Sequence, residues 1–369
     1  MVVHCSIEWR DTMVGCGESL RESKNSNPHS ASDQNTATMW MVPNSTPKST
    51  PIPISEKGEW TLLLKQRGWC ILEVPVSFWK DQYGSSADHR VWLDNPSSWT
   101  TLHRKLFESG VVGGGSARYV GAESGGGERN EPKQSWELQR SSSSSSSKTT
   151  NSVDRPLRAV LDLLHDVAVH VNDTCFEKDL SKRLIYDDGC STSTQPFDLL
   201  RAFCYEPTGD DNVMGSTPHT DWGSFTVVWQ DTVGGLQTYE QGEWMPVVPC
   251  EPPDGKNAVQ LIVHVGDVTS LVTGYPSPLH RVVSPQTQHR HSFVYFLYPV
   301  PHATLRELQR CCGNGTPYQK DTAYEHYSLL QDQSAEGHQT NATARDRYEA
   351  MLDQPLADVF RHKWDQVQR

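Results

Sequence analysis

A mainly β protein with helical additions is the fold class the sequence predicts, and three observations predict it. Between about 198 and 299 the chain reads as short β-prone runs separated by Gly, Pro and Asp turns: "SFTVVW", "GLQTY", "WMPVV", "AVQLIVHV", "HRVVS" and "SFVYFLY". Such a series is the pattern of an antiparallel sandwich or barrel. Helical spacing reads on both flanks of this series. Only 36% of the 369 residues are hydrophobic, which is low for a chain packed throughout.

Taken in order, residues 1–55 are polar and rich in Ser, Asn, Thr and Pro, and read as a flexible arm. "WTLLLKQRGWCILEVP" (60–75) predicts a helix stopped near Gly68, then a short buried strand. The glycine-rich stretch 110–128 predicts loop or irregular strand, and "RSSSSSSSKTT" (140–150) predicts a solvated insertion. A helix is predicted from Asp154. Pro156 suits its first turn, and Leu157, Leu161, Leu164, Ala168 and Val171 recur at spacings of three or four. The β series follows, and residues 319–369 return to helical patterns. The expected organisation is an arm (1–55), an α/β region (56–195), a β core (196–305) and a helical extension (306–369).

Charge and cysteine usage narrow the function classes. A net charge of −12 argues against a protein that wraps nucleic-acid phosphates, a task carried by Lys and Arg patches. No apolar run approaches the length of a membrane span, and "MVVHCSIEWRDTMVG" lacks the basic flank and apolar core of a signal peptide. None of the nine cysteines forms a C-x-x-C pair. A cytoplasmic protein with reduced thiols, no membrane partner and a monomeric state is expected.

The chemistry lies in "PHTDWGSF" (218–225). If "HTDWGSFTVVW" begins as a strand, His219 and Asp221 point the same way. Imidazole and carboxylate suit iron, manganese or zinc. His280, in "YPSPLHRVVSP", heads another β-branched run and supplies a third ligand. Two histidines and one carboxylate on one face of an octahedral ion leave three positions open, the arrangement of non-haem Fe(II) oxygenases. His264 in "LIVHVGD" reads as a satisfied core or turn histidine, and His289 and His291 read as surface or rim residues. In "RHSFVYFLYP", Arg290 and Ser292 share a strand face. A guanidinium there binds a carboxylate bidentately, and that carboxylate belongs either to a ligand or to a protein side chain.

These segments, with "VHVGD" and "RAFCYEP" (201–207), resemble the 2-oxoglutarate- and Fe(II)-dependent dioxygenases of the isopenicillin N synthase-like group, in order and with family-like spacing. "YVGAESGGGERNEPKQSWELQR" is similar to a passage in the family's N-terminal half. The resemblance implies a double-stranded β-helix (jelly-roll, cupin-like) core with N- and C-terminal helices. It implies that His219, Asp221 and His280 bind Fe(II), and that Arg290, Ser292 and Tyr205 bind 2-oxoglutarate. Phe203 and Cys204 replace the family's usual Asn and first Tyr, and His264 its Asn in "V-N-x-G-D".

The implied activity is O2-dependent oxidation of a small organic substrate, with 2-oxoglutarate converted to succinate and CO2 and ascorbate as a reductant. Substrate contacts are expected near Arg118 and Tyr119, along 222–229, and from the C-terminal helices. Two alternatives stand beside it: a same-fold Fe(II) oxidase that does not use 2-oxoglutarate (ring-forming or ascorbate-dependent), and a non-catalytic small-molecule-binding barrel.

Overall fold

The computed structural model describes residues 50–83, 98–108, 117–120, 131–139, 154–185, 198–210, 212–249, 258–312 and 344–367. The Ser-rich tract and most of the expected arm lie outside these residues. Ile52 and Pro53, at the end of that arm, form a short strand, β1.

Helix α1 (Lys57–Arg67) ends at Gly68, whose φ of 78° and N–H to the Leu64 carbonyl make a left-handed cap. A Cβ at Gly68 would also sit 2.0 Å from the Pro276 carbonyl oxygen, so only glycine fits the stop the sequence predicts. Strand β2 (Trp69–Pro75), helices α2 (Val76–Tyr83) and α3 (Ser98–Glu108), and strands β3 (Arg118–Val120) and β4 (Lys133–Gln139) follow. Helix α4 (Asp154–Cys175) starts where the capping pattern places it, and α5 (Lys178–Leu184) completes the N-terminal half.

The β series becomes β5 (Leu199–Tyr205), β6 (Met214–His219), β7 (Phe225–Gln230), β8 (Leu236–Glu240), β9 (Glu243–Pro246), β10 (Ala258–Val265), β11 (His280–Val283) and β12 (Arg290–Leu297), with α6 (Asp267–Thr273) between β10 and β11. Helices α7 (Leu305–Cys311), α8 (Ala344–Leu352) and α9 (Leu356–Val367) close the chain.

Two sheets form a jelly roll. The larger runs β1-β2-β10-β7-β12-β5-β4-β3 and the smaller β6-β11-β8-β9. Every pairing is antiparallel except β1 with β2. Strand alternation sorts the larger sheet into two faces. Leu72, Val74, Leu200, Val227, Phe293, Tyr295, Leu261 and Val263 point outward into a core shared with Leu157, Leu161, Leu164, Val167 and Val171 of α4. Trp69, Ile71, Phe203, Tyr205, Val228 and Ile262 point inward, toward Leu236, Val247 and Val282. Burying the α4 stripe stabilises by about 1.5–3 kcal/mol per large side chain before entropic costs. A third cluster packs α5 to α9 together through Leu184, Leu271, Tyr298, Leu308, Met351 and Phe360. Among the described residues, no helix is long and apolar enough to cross a membrane.

Candidate metal centre

His219 is the last residue of β6 and His280 the first of β11, and the two are register partners. Their rings lie 4.3 Å apart, centroid to centroid. In each, Nδ1 faces a backbone carbonyl: Thr217 at 2.7 Å for His219, Pro278 at 3.0 Å for His280. A carbonyl only accepts, so Nδ1 carries the proton and Nε2 keeps its lone pair for a ligand.

Asp221 arrives differently from the strand-face expectation. β6 stops at His219 and β7 starts at Phe225, so Asp221 sits in the connection between them and not on a shared strand face. Close backbone contact fixes the connection. Asp267 N–H donates to the Asp221 carbonyl at 2.7 Å, and Gly266 N–H to that of Ser224 at 2.9 Å. A Cβ on Gly266 would lie 2.1 Å from the Gly223 carbonyl oxygen, so glycine is required for this approach. The result brings one ligand atom each from His219, Asp221 and His280 within 4.8 Å of one another. His219 Nε2 lies 4.0 Å from Asp221 Oδ1, and His280 Nε2 lies 3.8 Å from Oδ2. Burial alone would raise the Asp221 pKa. His280, His264 and His219 overcome that and hold it well below the usual carboxylate range.

His264 is the main departure from expectation. It is buried on the inner face of β10, with its ring centroid 4.5 Å from that of His280 and Nδ1 3.6 Å from Asp221 Oδ2. Neither ring nitrogen has a hydrogen-bond partner, so it is not a satisfied core histidine. Burial pushes its pKa down to about 4, so the ring is neutral at physiological pH. His291 also differs. It is buried on the outward face of β12 with its ring 4.6 Å from His103 of α3, whereas His289 is exposed.

Arg290 and Ser292 do share the inward face of β12. Arg290 is 1% exposed and donates to Ser292 Oγ at 3.3 Å and to Gln230 Oε1 at 3.0 Å. Its guanidinium carbon stands 4.7 Å from the Tyr205 ring centroid, and Nε has no hydrogen-bond partner. Among the described residues no carboxylate lies within ion-pair distance. Nearby Asp231 instead receives the backbone N–H groups of His291 and Val233.

Residues 196–299 match the family described as the 2OG-Fe(II) oxygenase superfamily. This segment is a 2OG-Fe(II) oxygenase domain. Gibberellin 2-beta-dioxygenase 7 of Arabidopsis thaliana is 35% identical over 104 residues, 27% of this chain and 29% of that protein. The 2-oxoglutarate-dependent dioxygenase citB of Monascus ruber is 34% identical over 136 residues, 34% of this chain and 39% of that protein. The chain thus spans about a third of the length of these curated relatives. In fold it is similar to JOX2, solved in complex with 2OG, Fe and JA, with a TM-score of 0.52 at 13% identity over 76% of this chain and 84% of that one.

Residues outside the matched segment also brace the site. Lys133 and Glu131, which motif reading passed over, form a buried ion pair at 2.6 Å beside β6. Lys133 also donates to Ser216 Oγ at 2.9 Å, and Glu131 Oε1 accepts the Thr217 N–H at 2.7 Å. Thr217 is the residue whose carbonyl orients His219. The available signal was Lys133, Ser135 and Glu137 at period two within a β run, where alternate positions share one face. Arg118 and Tyr119 are exposed on β3, paired with Glu137 at 2.6 Å and Gln134 at 2.5 Å.

Proposed function

We propose that this chain is an Fe(II)- and 2-oxoglutarate-dependent dioxygenase that oxidises a small organic substrate and releases succinate and CO2. One observation carries the reading: two imidazoles whose Nδ1 atoms face backbone carbonyls converge with an ionised Asp221, and the inward face of β12 buries an arginine with no carboxylate partner among the described residues.

His219, Asp221 and His280 would hold the iron, which when bound supplies the redox chemistry with O2. Two neutral imidazoles and one carboxylate leave three coordination positions for cosubstrate and O2. Arg290 would bind the distal carboxylate of 2-oxoglutarate. An unpaired buried guanidinium costs several kcal/mol, and an anion arriving there offsets it. Ser292 adds a hydroxyl donor, and Tyr205 packs its ring against the guanidinium. The inward faces of Ile71, Val228 and Ile262 exclude water around these groups.

The proposed working unit is a monomer. The five described cysteines are free thiols, which supports a reducing compartment such as the cytoplasm. Ascorbate would serve as a reductant of the metal between turnovers.

The test is succinate formation from 2-oxoglutarate with Fe(II) and O2, across a panel of small organic substrates. Substrate-stimulated succinate with mass-shifted product is expected, and it should vanish in His219→Ala. Product formed at an equal rate without 2-oxoglutarate would overturn the reading.

A further inference from the structure

Two polar groups near the proposed iron site lack hydrogen-bond partners and face each other. Asp221 Oδ2 is buried without a partner, and so are both ring nitrogens of His264. Nδ1 of His264 and Oδ2 of Asp221 are 3.6 Å apart, about 0.4 Å beyond the outer limit of an N–H···O bond. Buried polar groups of this kind are ordinarily paired, and leaving them unpaired costs stability. His264 is anchored where it stands by sheet register. It pairs with Trp69 on one side and Thr226 on the other. Trp69 is itself tied to Glu240 through its indole N–H. Register thus fixes its backbone on the inner face, and the ring is enclosed there at 1% exposure.

We propose that His264 is a positioning residue for the metal centre, donating its Nδ1–H to the Asp221 oxygen that the iron does not take. This rests on the proposed iron site. A carboxylate has two oxygens, and a second one left free can also approach the metal and occupy a position that cosubstrate or O2 needs. A donor on that oxygen keeps Asp221 on the metal through a single oxygen. Direct ligation by His264 is a different arrangement. It would leave only two open positions, which 2-oxoglutarate alone would fill.

The same geometry assigns His264 a chemical requirement, a neutral N–H donor of imidazole reach, that a mere volume-filling role does not share. Asparagine can meet it through its amide, whereas leucine and methionine cannot. Metal ligands whose outer hydrogen-bond partners are removed typically lose ten- to a hundredfold in affinity.

The experiment is anaerobic Fe(II) titration of the full chain with 2-oxoglutarate, read by the charge-transfer absorption of the ternary complex. Wild type, His264→Asn, His264→Leu and His219→Ala are compared, with thermal unfolding of each. H264L is expected to bind Fe(II) roughly ten- to a hundredfold more weakly with a displaced band, and H264N to stay close to wild type in both. If H264L does not fold, His264→Met serves as the non-donor of similar length. The proposal is overturned if a folded non-donor variant keeps wild-type affinity and band. It is equally overturned if H264N loses as much as the non-donors. Wild-type Fe(II) binding by H219A would instead sink the iron-site reading itself, whatever position 264 does.

Discussion

Nδ1 of His219 sits 2.7 Å from the carbonyl oxygen of Thr217, and the amide of that same Thr217 is held by the buried carboxylate of Glu131. One residue thus passes the position of an ion pair in the N-terminal half to His219 in the C-terminal half. The imidazole is oriented through the backbone.

Removing Glu131 should therefore act twice. Glu131→Gln removes the carboxylate ion-paired with the buried Lys133, and breaking such a pair costs about 3–5 kcal/mol. Urea unfolding should register that loss. The double variant Glu131→Gln with Lys133→Met should recover part of it, because both charges are then gone. Fe(II) affinity should fall in the single variant even where the protein remains folded.

Arg290 should govern 2-oxoglutarate affinity more than stability. Arg290→Lys keeps the charge but loses the planar fork. An increase in KM for 2-oxoglutarate of about thirtyfold or more is expected, corresponding to about 2 kcal/mol for a desolvated charged contact. Steady-state kinetics at saturating organic substrate would measure it, and an unchanged KM would remove Arg290 from the cosubstrate site.

The His103–His291 pair predicts acid sensitivity. Burial holds His103 well below its ordinary value, with His291 and Arg290 opposing its protonation further, although its Nε2 contact to the Ser292 carbonyl pulls the other way. Burial, His289, Arg104 and Arg290 lower His291 to about 4. The unfolded chain binds protons at these sites near pH 6.5, before the folded one does. Stability is therefore full above that pH and falls as pH drops toward about 4. The melting temperature should decline across this window, and His291→Asn should shallow the decline.

Gly266→Ala offers a backbone test. The added methyl would meet the Gly223 carbonyl oxygen at 2.1 Å and push the connection that carries Asp221. Overpacking of this kind costs about 1–3 kcal/mol. The variant should melt lower and bind Fe(II) more weakly, as calorimetric titration would show. Gly209→Ala is the control, since nothing lies within 4 Å of a Cβ there, although its φ of +68° leaves a small conformational cost.

Much of this was legible in the chain itself. Gly68 announces the end of α1, and the three- and four-residue spacing of Leu157, Leu161, Leu164 and Val171 specifies the buried stripe of α4. Period-two alternation puts Arg290 and Ser292 on one face. His264 and His291 depart from the expected placements for a shared reason. Alternation says that two faces exist, but not which one looks into the site and which lies beneath a helix.

Local sequence by itself determined α1, α4, β2, the runs that become β7 to β12 and the residue types able to bind a metal, because these depend on periodicity and side-chain chemistry within a few positions. Only the tertiary structure decided that β4 would bring Lys133 and Glu131 to β6, that His264 would face Asp221, and that His291 would pack under α3. Those placements follow from pairings between strands far apart in the chain. Each is selected by burial of whole faces against one another, so no single segment encodes it.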